Sequence, residues 1–466
     1  MKKKRIVFTD IQAVIVLIVV ATAVLSIPLL SREVKHKGYP IGEESYFNSR
    51  ISKDLVTIDN LIYGGRNVIL NPYNLLLYGG SLLFDMHSLS KFLPFILGLV
   101  SLLLFYFLIR KKLDITKSLL TAGILVFSPI FMYNFLVSSK FALLVVLNLA
   151  LLLLFLKNRR MLHVVGLLIF LGICFFGLSS IAISVAMLLG LVIYDKKLFK
   201  PFLTYLILVV VFVFGYLVPF GKIFFNKTPE FAQIGILQRM FTDLGGIIGF
   251  GIFAAILAVV GFIQIWSNNK NFYYSLFLVL LLCISLFFTH EFMFYLNFLI
   301  AYLVAHAIIV IIKSKWSLDF LKKLTLIIIV CGLLFSSISY SHRISNIPSR
   351  GIVGVMDFLQ KRDKGVVFSS YKYGSYIEYT GNIAIMDSRF DYSEVEKRII
   401  FIDNVLSSST TEKALVELEK YNIKYILLDS EMKIKAKETG FIEVLKSGAF
   451  NLLFVSEDLT VWEVVW

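Results

Sequence analysis

The sequence predicts a polytopic α-helical membrane protein, with about eleven transmembrane helices, followed by a C-terminal external α/β domain. Three observations predict it. The 466-residue chain is 58% apolar and 17% charged, with a mean hydropathy of +0.82, whereas soluble chains are nearer half apolar and a quarter charged. Apolar runs of about 20 residues recur, the length that crosses a bilayer as a helix. The charge is also unevenly split. Residues 1–349 hold 31 Lys/Arg against 13 Asp/Glu, and residues 350–466 hold 15 against 18. Cytoplasmic loops of membrane proteins collect Lys and Arg, so the basic excess reads as topology, and no nucleic-acid partner is expected.

The chain begins Met1-Lys-Lys-Lys-Arg5 ahead of an apolar run at 11–30. That run is too long for a signal-peptide core and has no small-residue cleavage site, so it reads as a retained helix with a cytoplasmic N-terminus. Residues 31–89 are then an external loop carrying interfacial helices. Over 43–63, Phe47, Ile51, Leu55, Ile58 and Ile62 recur at helical spacing and make one apolar stripe, which predicts a helix lying on the membrane. The apolar stretch Asn71–Gly80 is short and is expected to dip into the interface.

A first return crossing falls at about 90–109, ahead of the basic cluster Arg110-Lys-Lys-Leu-Asp-Ile-Thr-Lys117. Further spans are expected near 118–136, 139–156, 162–177, 179–194, 201–224, 246–266, 272–289, 294–313 and 323–341. The loops this assigns to the inside, such as Lys157-Asn-Arg-Arg160 and Asp195-Lys-Lys-Leu-Phe-Lys200, are basic. The transmembrane part is thus 1–345. In 350–466 the apolar runs shorten to strand length, as in Val366-Val-Phe368 and Ile383-Ala-Ile385, and helix-like stretches lie between them, which predicts an extracytoplasmic α/β domain.

Ionisable groups beside membrane spans are costly and often functional. Glu43 and Glu44 open the interfacial helix just after Gly42. A carboxylate there is favoured by the helix N-terminus and could take a proton from a hydroxyl; it could equally be a simple helix cap. Tyr46, Asn48 and Arg50 on the next turns could hold a substrate or be ordinary polar helix residues. Asn71 and Tyr73 open the next apolar segment. His290 and Glu291, in a short external turn, either face the same cavity or are solvated. Arg239 and Lys227 could pair with a lipid phosphate. His163 and His306 have no second ligand at metal spacing and read as structural. Cys174, Cys283 and Cys331 sit in apolar runs with no disulfide or zinc spacing.

In order, the chain presents Gly42-Glu-Glu-Ser-Tyr-Phe-Asn48, Asn71-Pro-Tyr-Asn-Leu-Leu-Leu77, a span ending in Arg110-Lys-Lys112, and Phe127-Ser-Pro-Ile-Phe-Met-Tyr-Asn-Phe135 leading to Lys140. This pattern resembles the GT-C superfamily of membrane glycosyltransferases, among them protein O-mannosyltransferases, aminoarabinose transferases of the ArnT type and oligosaccharyltransferase catalytic subunits. Val366-Val-Phe-Ser-Ser-Tyr-Lys-Tyr-Gly-Ser-Tyr-Ile-Glu-Tyr379 and Ile385-Met-Asp-Ser-Arg389 resemble the external domain of archaeal and bacterial relatives.

The resemblance implies an enzyme of the cell membrane that moves a sugar from a polyprenyl-phosphate donor to an extracytoplasmic hydroxyl on a lipid-linked glycan or protein. It places Glu44 as general base, with Glu43 beside it, and Arg239, His290 and Glu291 near the donor phosphate. Two departures stand out. The loop Tyr133–Lys140 carries no acid where relatives often place a second one, so a metal-dependent mechanism has no support and no cofactor is expected. His290 stands where an Arg is expected. Two rival readings are a transporter or flippase of lipid-linked sugars, which predicts polar groups deep in several spans, and a non-catalytic membrane protein whose external domain binds a partner.

Overall fold

A computed structural model of the chain describes residues 9–36, 38–53, 71–157, 160–217, 240–266, 291–390 and 394–466. The chain opens with the long apolar helix α1 (Asp10–His36). A turn through Gly42 leads into the short α2 (Glu43–Lys53) and later α3 (Pro72–Ser81). Next come α4 (Met86–Arg110), α5 (Ile115–Val126), α6 (Pro129–Leu136), α7 (Lys140–Phe155), α8 (Arg160–Cys174) and α9 (Leu178–Tyr194). After α10 (Phe199–Phe212) and α11 (Ile252–Trp266), the long helices α12 (Glu291–Lys313) and α13 (Asp319–Ile344) complete the bundle.

Among the described residues, five helices are long and apolar enough to cross a bilayer: Asp10–Lys35, Met86–Arg110, Lys196–Tyr216, Glu291–Lys313 and Asp319–Ile344. The pair α5 and α6 makes a sixth if counted as one broken span. Eleven full-length spans are therefore not what these residues show, and there are two physical reasons. Helices α7, α8, α9 and α11 have 16, 15, 17 and 15 residues. At 1.5 Å per residue they reach only about 22–26 Å, short of a hydrocarbon core of ~30 Å. The expected span 118–136 is broken, its halves bent by 66°. Pro129 opens α6 and Ser128 before it is extended, because the proline ring disfavours helical backbone at the preceding residue. The span expected at 272–289 lies outside the described residues, as do Leu55, Ile58 and Ile62 of the apolar stripe.

Helix α2 buries a mixed face of Ser45, Tyr46, Asn48, Ser49, Ile51 and Ser52. The three serine hydroxyls donate to the carbonyls of Ile41, Ser45 and Asn48 one turn back, at 2.6, 2.6 and 2.7 Å. Satisfied in this way, they can be buried without the cost of an unpaired hydroxyl. Their small size lets α2 wedge between the bundle and the C-terminal domain.

That domain starts with α14 (Arg350–Gln360) and continues through β1 (Val366–Phe368), α15 (Gly374–Tyr379), β2 (Ile383–Ala384), α16 (Val395–Leu406), α17 (Thr411–Glu419), β3 (Ile423–Leu428), α18 (Ser430–Glu438), α19 (Phe441–Leu445), β4 (Phe450–Ser456) and β5 (Leu459–Val464). The strands form one mixed sheet in the order β2-β1-β3-β5-β4. Strand β1 runs parallel to β2 and β3, while β5 is antiparallel to β3 and β4. Successive residues point to opposite faces of a strand, and both faces are covered. Phe368, Ile426 and Leu428 join one apolar cluster, and Val367, Tyr425 and Leu427 join another.

Arg32, near the end of α1, ties the domain to the bundle. Its buried guanidinium donates to the carbonyls of Tyr39 at 3.0 Å, Ser345 at 3.2 Å and Pro348 at 2.6 Å. It thereby fixes both the chain entering α2 and the chain entering α14.

Candidate active site

The acid pair is held in place by a glycine turn. Gly42 has φ of +77°, and a side chain there would meet Val137; glycine takes this left-handed backbone at no steric cost. Its N–H donates to the Ile347 carbonyl at 3.0 Å, and Ile41 bridges to Val137. Helix α2 therefore starts at the junction of the 137–139 loop and the C-terminal domain.

Glu43 points into that domain. Its Oε1 accepts hydrogen bonds from Ser375 at 3.0 Å and Ser388 at 2.5 Å. Part of its surface stays open, but it is packed deep among protein groups, and the loss of solvent pushes its pKa up to about 7. The two serine hydroxyls oppose that rise without cancelling it.

Glu44 faces differently. Its Oε1 lies 3.2 Å from an Arg389 guanidinium nitrogen. Its Oε2 is buried and has no hydrogen-bond partner among the described residues. The same guanidinium sits 4.5 Å from the centre of the ring of Phe47, the central residue of the predicted stripe.

Beneath the acids, Ser138 organises a small polar network. Its carbonyl accepts from Asn48 at 2.9 Å, its N–H donates to Ser45 at 2.8 Å, and its hydroxyl bonds Tyr73 at 2.7 Å. Burial pushes the Tyr73 hydroxyl well above its ordinary pKa, and the charge of Glu44 adds to the effect. Asn71 caps α3 through the Tyr73 N–H at 3.0 Å. Tyr46 and Arg50 lie in the joint between the two parts. Tyr46 donates to the Pro40 carbonyl at 2.9 Å and sits edge-on to Tyr376 and Tyr379. Arg50 lies 3.5 Å from Glu378.

Glu291, in the first turn of α12, is buried and lies 3.6 Å from Lys140 at the start of α7. Its Oε2 has no hydrogen-bond partner among the described residues. One turn on, Phe294 stacks with Phe141 and with Tyr133. The Glu291–Lys140 pair thus borders an aromatic wall, with the Lys140 ammonium 5.2 Å from the centre of the Phe141 ring. Arg239 and His290 lie outside the described residues.

Sequence reasoning placed the acids but missed Lys140, Ser375, Ser388 and Arg389. A signal was present for the last two: Asp387-Ser-Arg389 is a polar break directly after the apolar Ile383–Met386. Among the described residues no three His, Cys, Asp or Glu side chains converge as a metal site.

Deeper in the bundle, an apolar cavity of about 480 Å³ is lined by α1, α5, α11, α12 and α13. Its polar edge is formed by Ser128, bonded to Asn297 at 2.6 Å, and by Ser336, bonded to Asp243 at 3.0 Å.

No protein-family model matches the sequence, and a search of curated proteins finds no match. Solved structures do match. The oligosaccharyltransferase of Archaeoglobus fulgidus, tethered to an acceptor peptide, superposes with a TM-score of 0.60 at 14% identity, over 95% of this chain and 73% of that one. ArnT from Cupriavidus metallidurans, bound to undecaprenyl phosphate, gives 0.58 at 12% identity over 97% and 98%.

The fold is that of the GT-C glycosyltransferases. A third GT-C structure, the Archaeoglobus enzyme AglB with an inhibitory peptide and a dolichol-phosphate, gives 0.55 at 13% identity over 90% and 70%. The match to ArnT spans nearly all of both chains, so the GT-C likeness takes in the C-terminal sheet as well as the helices.

Proposed function

We propose that this protein is a membrane glycosyltransferase that moves a sugar from a polyprenyl-phosphate donor to an acceptor hydroxyl, with Glu44 as general base. One observation carries the reading: on a GT-C fold, at the meeting of α2, α3, the 137–139 loop and the C-terminal domain, Glu44 keeps a buried carboxylate oxygen without a hydrogen-bond partner among the described residues. A general base needs such an accepting oxygen within hydrogen-bond reach of the reacting hydroxyl.

The acceptor oxygen attacks the anomeric carbon and Glu44 takes its proton. The bond from that carbon to the phosphate oxygen breaks, and polyprenyl phosphate leaves with the electron pair. The sugar is transferred with inversion. Glu43, held by Ser375 and Ser388, supports Glu44. Lys140 and Glu291 border the phosphate, with Arg239 and His290 as further contacts. Asn48, Asn71 and Tyr73 build the floor of the site, while Tyr46 and Arg50 fix the domain that walls it. The apolar cavity is suited to an isoprenoid tail. Residues 1–345 form the transmembrane unit, and 350–466 form an extracytoplasmic domain that shapes the groove for a glycan or protein acceptor. The dolichol-phosphate and undecaprenyl phosphate held by the structural neighbours support this donor class.

The test is transfer by the detergent-purified protein from a panel of labelled polyprenyl-phosphate sugars. Glu44→Gln is expected to lose about 10²-fold or more in rate, and Glu43→Gln much less. Full transfer by Glu44→Gln would remove it as the base. Failure of the wild type to bind or transfer any donor would remove the enzyme reading.

A further inference from the structure

Arg389 touches the proposed base, yet it belongs to the C-terminal domain. It lies 3.2 Å from Glu44 Oε1 and stacks 4.5 Å above Phe47. Three features deliver it there. The Asp387 carboxylate accepts the Arg389 N–H at 3.0 Å, which shapes the turn. Ser388, next along, donates to Glu43. Gly374 lets α15 pass against the Met386 carbonyl, where any side chain would collide. The Arg389 side chain is about a quarter exposed and that of Glu44 a fifth, so both are partly open to solvent.

A guanidinium fork fits a carboxylate and a phosphate equally well, through the same N–H groups. A phosphate ester entering beside Glu44 therefore competes with that carboxylate for Arg389. The Phe47 ring holds the guanidinium plane by cation–π attraction whichever anion it faces. While Arg389 holds Oε1, one of the two carboxylate oxygens is closed to an incoming hydroxyl.

We propose that Arg389 is a shared ligand, paired with Glu44 before the donor arrives and passed to the donor's phosphate on binding, so that donor binding frees the second carboxylate oxygen of the base. This rests on the glycosyltransferase reading above. It adds that the C-terminal domain supplies a donor-binding residue.

The experiment titrates the full-length protein in detergent with a polyprenyl monophosphate, and in parallel with the uncharged polyprenol. The wild type is expected to prefer the phosphate. Arg389→Gln should weaken phosphate binding by about tenfold or more and leave polyprenol binding unchanged. Glu44→Gln, which removes the rival anion, should tighten phosphate binding several-fold, a gain that misfolding cannot imitate. That gain should vanish in the double variant.

Unchanged or weaker phosphate binding in Glu44→Gln would overturn the shared-ligand proposal, as would wild-type affinity in Arg389→Gln. In either case, selective binding by the wild type would leave the donor reading standing. If the wild type does not distinguish phosphate from alcohol, the donor reading fails and this proposal with it.

Discussion

Glu43 and Glu44 are adjacent, but the start of a helix turns them in different directions. Glu43 meets two serine hydroxyls from the C-terminal domain, whereas Glu44 meets an arginine. The raised pKa of Glu43, about 7, has a definite sign. Between its ordinary unfolded value and about 7, the folded protein holds a proton there that the unfolded chain has released. The resulting stability is fully present below the unfolded value and is lost as pH rises through about 7. Thermal unfolding in detergent should therefore give a lower Tm above that pH than below it. Glu43→Gln, which keeps the shape and is always neutral, should flatten this part of the profile. An unchanged slope would show that another group is responsible.

The elements of the site depend on small residues. Ser45 accepts the Ser138 N–H and donates to the Ile41 carbonyl. Ser45→Ala strands a buried N–H, at a cost of about 1–3 kcal/mol, readable as a fall in the denaturation midpoint. Gly374→Ala sets a methyl group against the Met386 carbonyl. Relieving that overlap by moving α15 should cost about 1–3 kcal/mol and draw Ser375 away from Glu43. The same substitution should therefore also weaken the pH dependence carried by Glu43, a readout that simple destabilisation would not give.

Much of this was legible in the sequence. The acid pair after Gly42, the long apolar helices and the strands at Val366 and Ile383 all follow from pattern. The orientation of α2 was not legible. Its stripe of Phe47 and Ile51 suggests lipid, while the serines that govern its packing look like solvent-facing residues until their hydroxyls are seen bonded to the preceding turn. Arg389 is visible in the sequence only as part of the polar break after Met386, and its pairing is not. It comes to Glu44 from some 345 residues away, and no local periodicity encodes that approach.

At the scale of the whole molecule, the bundle and the sheet domain are joined by polar groups set around an apolar cluster of Tyr46, Val353, Met356 and Tyr376. Arg32 binds three carbonyls, Arg50 pairs with Glu378, and Tyr39 donates to Asp357 at 2.5 Å. Arg32→Met leaves those three carbonyls buried without their donor, and unmade buried hydrogen bonds cost about 1–3 kcal/mol each. Limited proteolysis should then cut the 345–349 segment faster than in the wild type, with the sheet domain released intact. Equal cleavage rates would show that the arginine does not hold the joint.

The joint also sets an order of manufacture. A ribosome makes α2 early, but the serines that hold Glu43 follow it by 332 and 345 residues. Contacts so distant in sequence close late. During synthesis Glu43 and Glu44 stand uncapped while the helices around them enter the bilayer. The arginine paired with Glu44 arrives only after the last of those helices has been made. A chain stopped short of residue 389 has its membrane helices and its proposed base, but not the arginine that pairs with it.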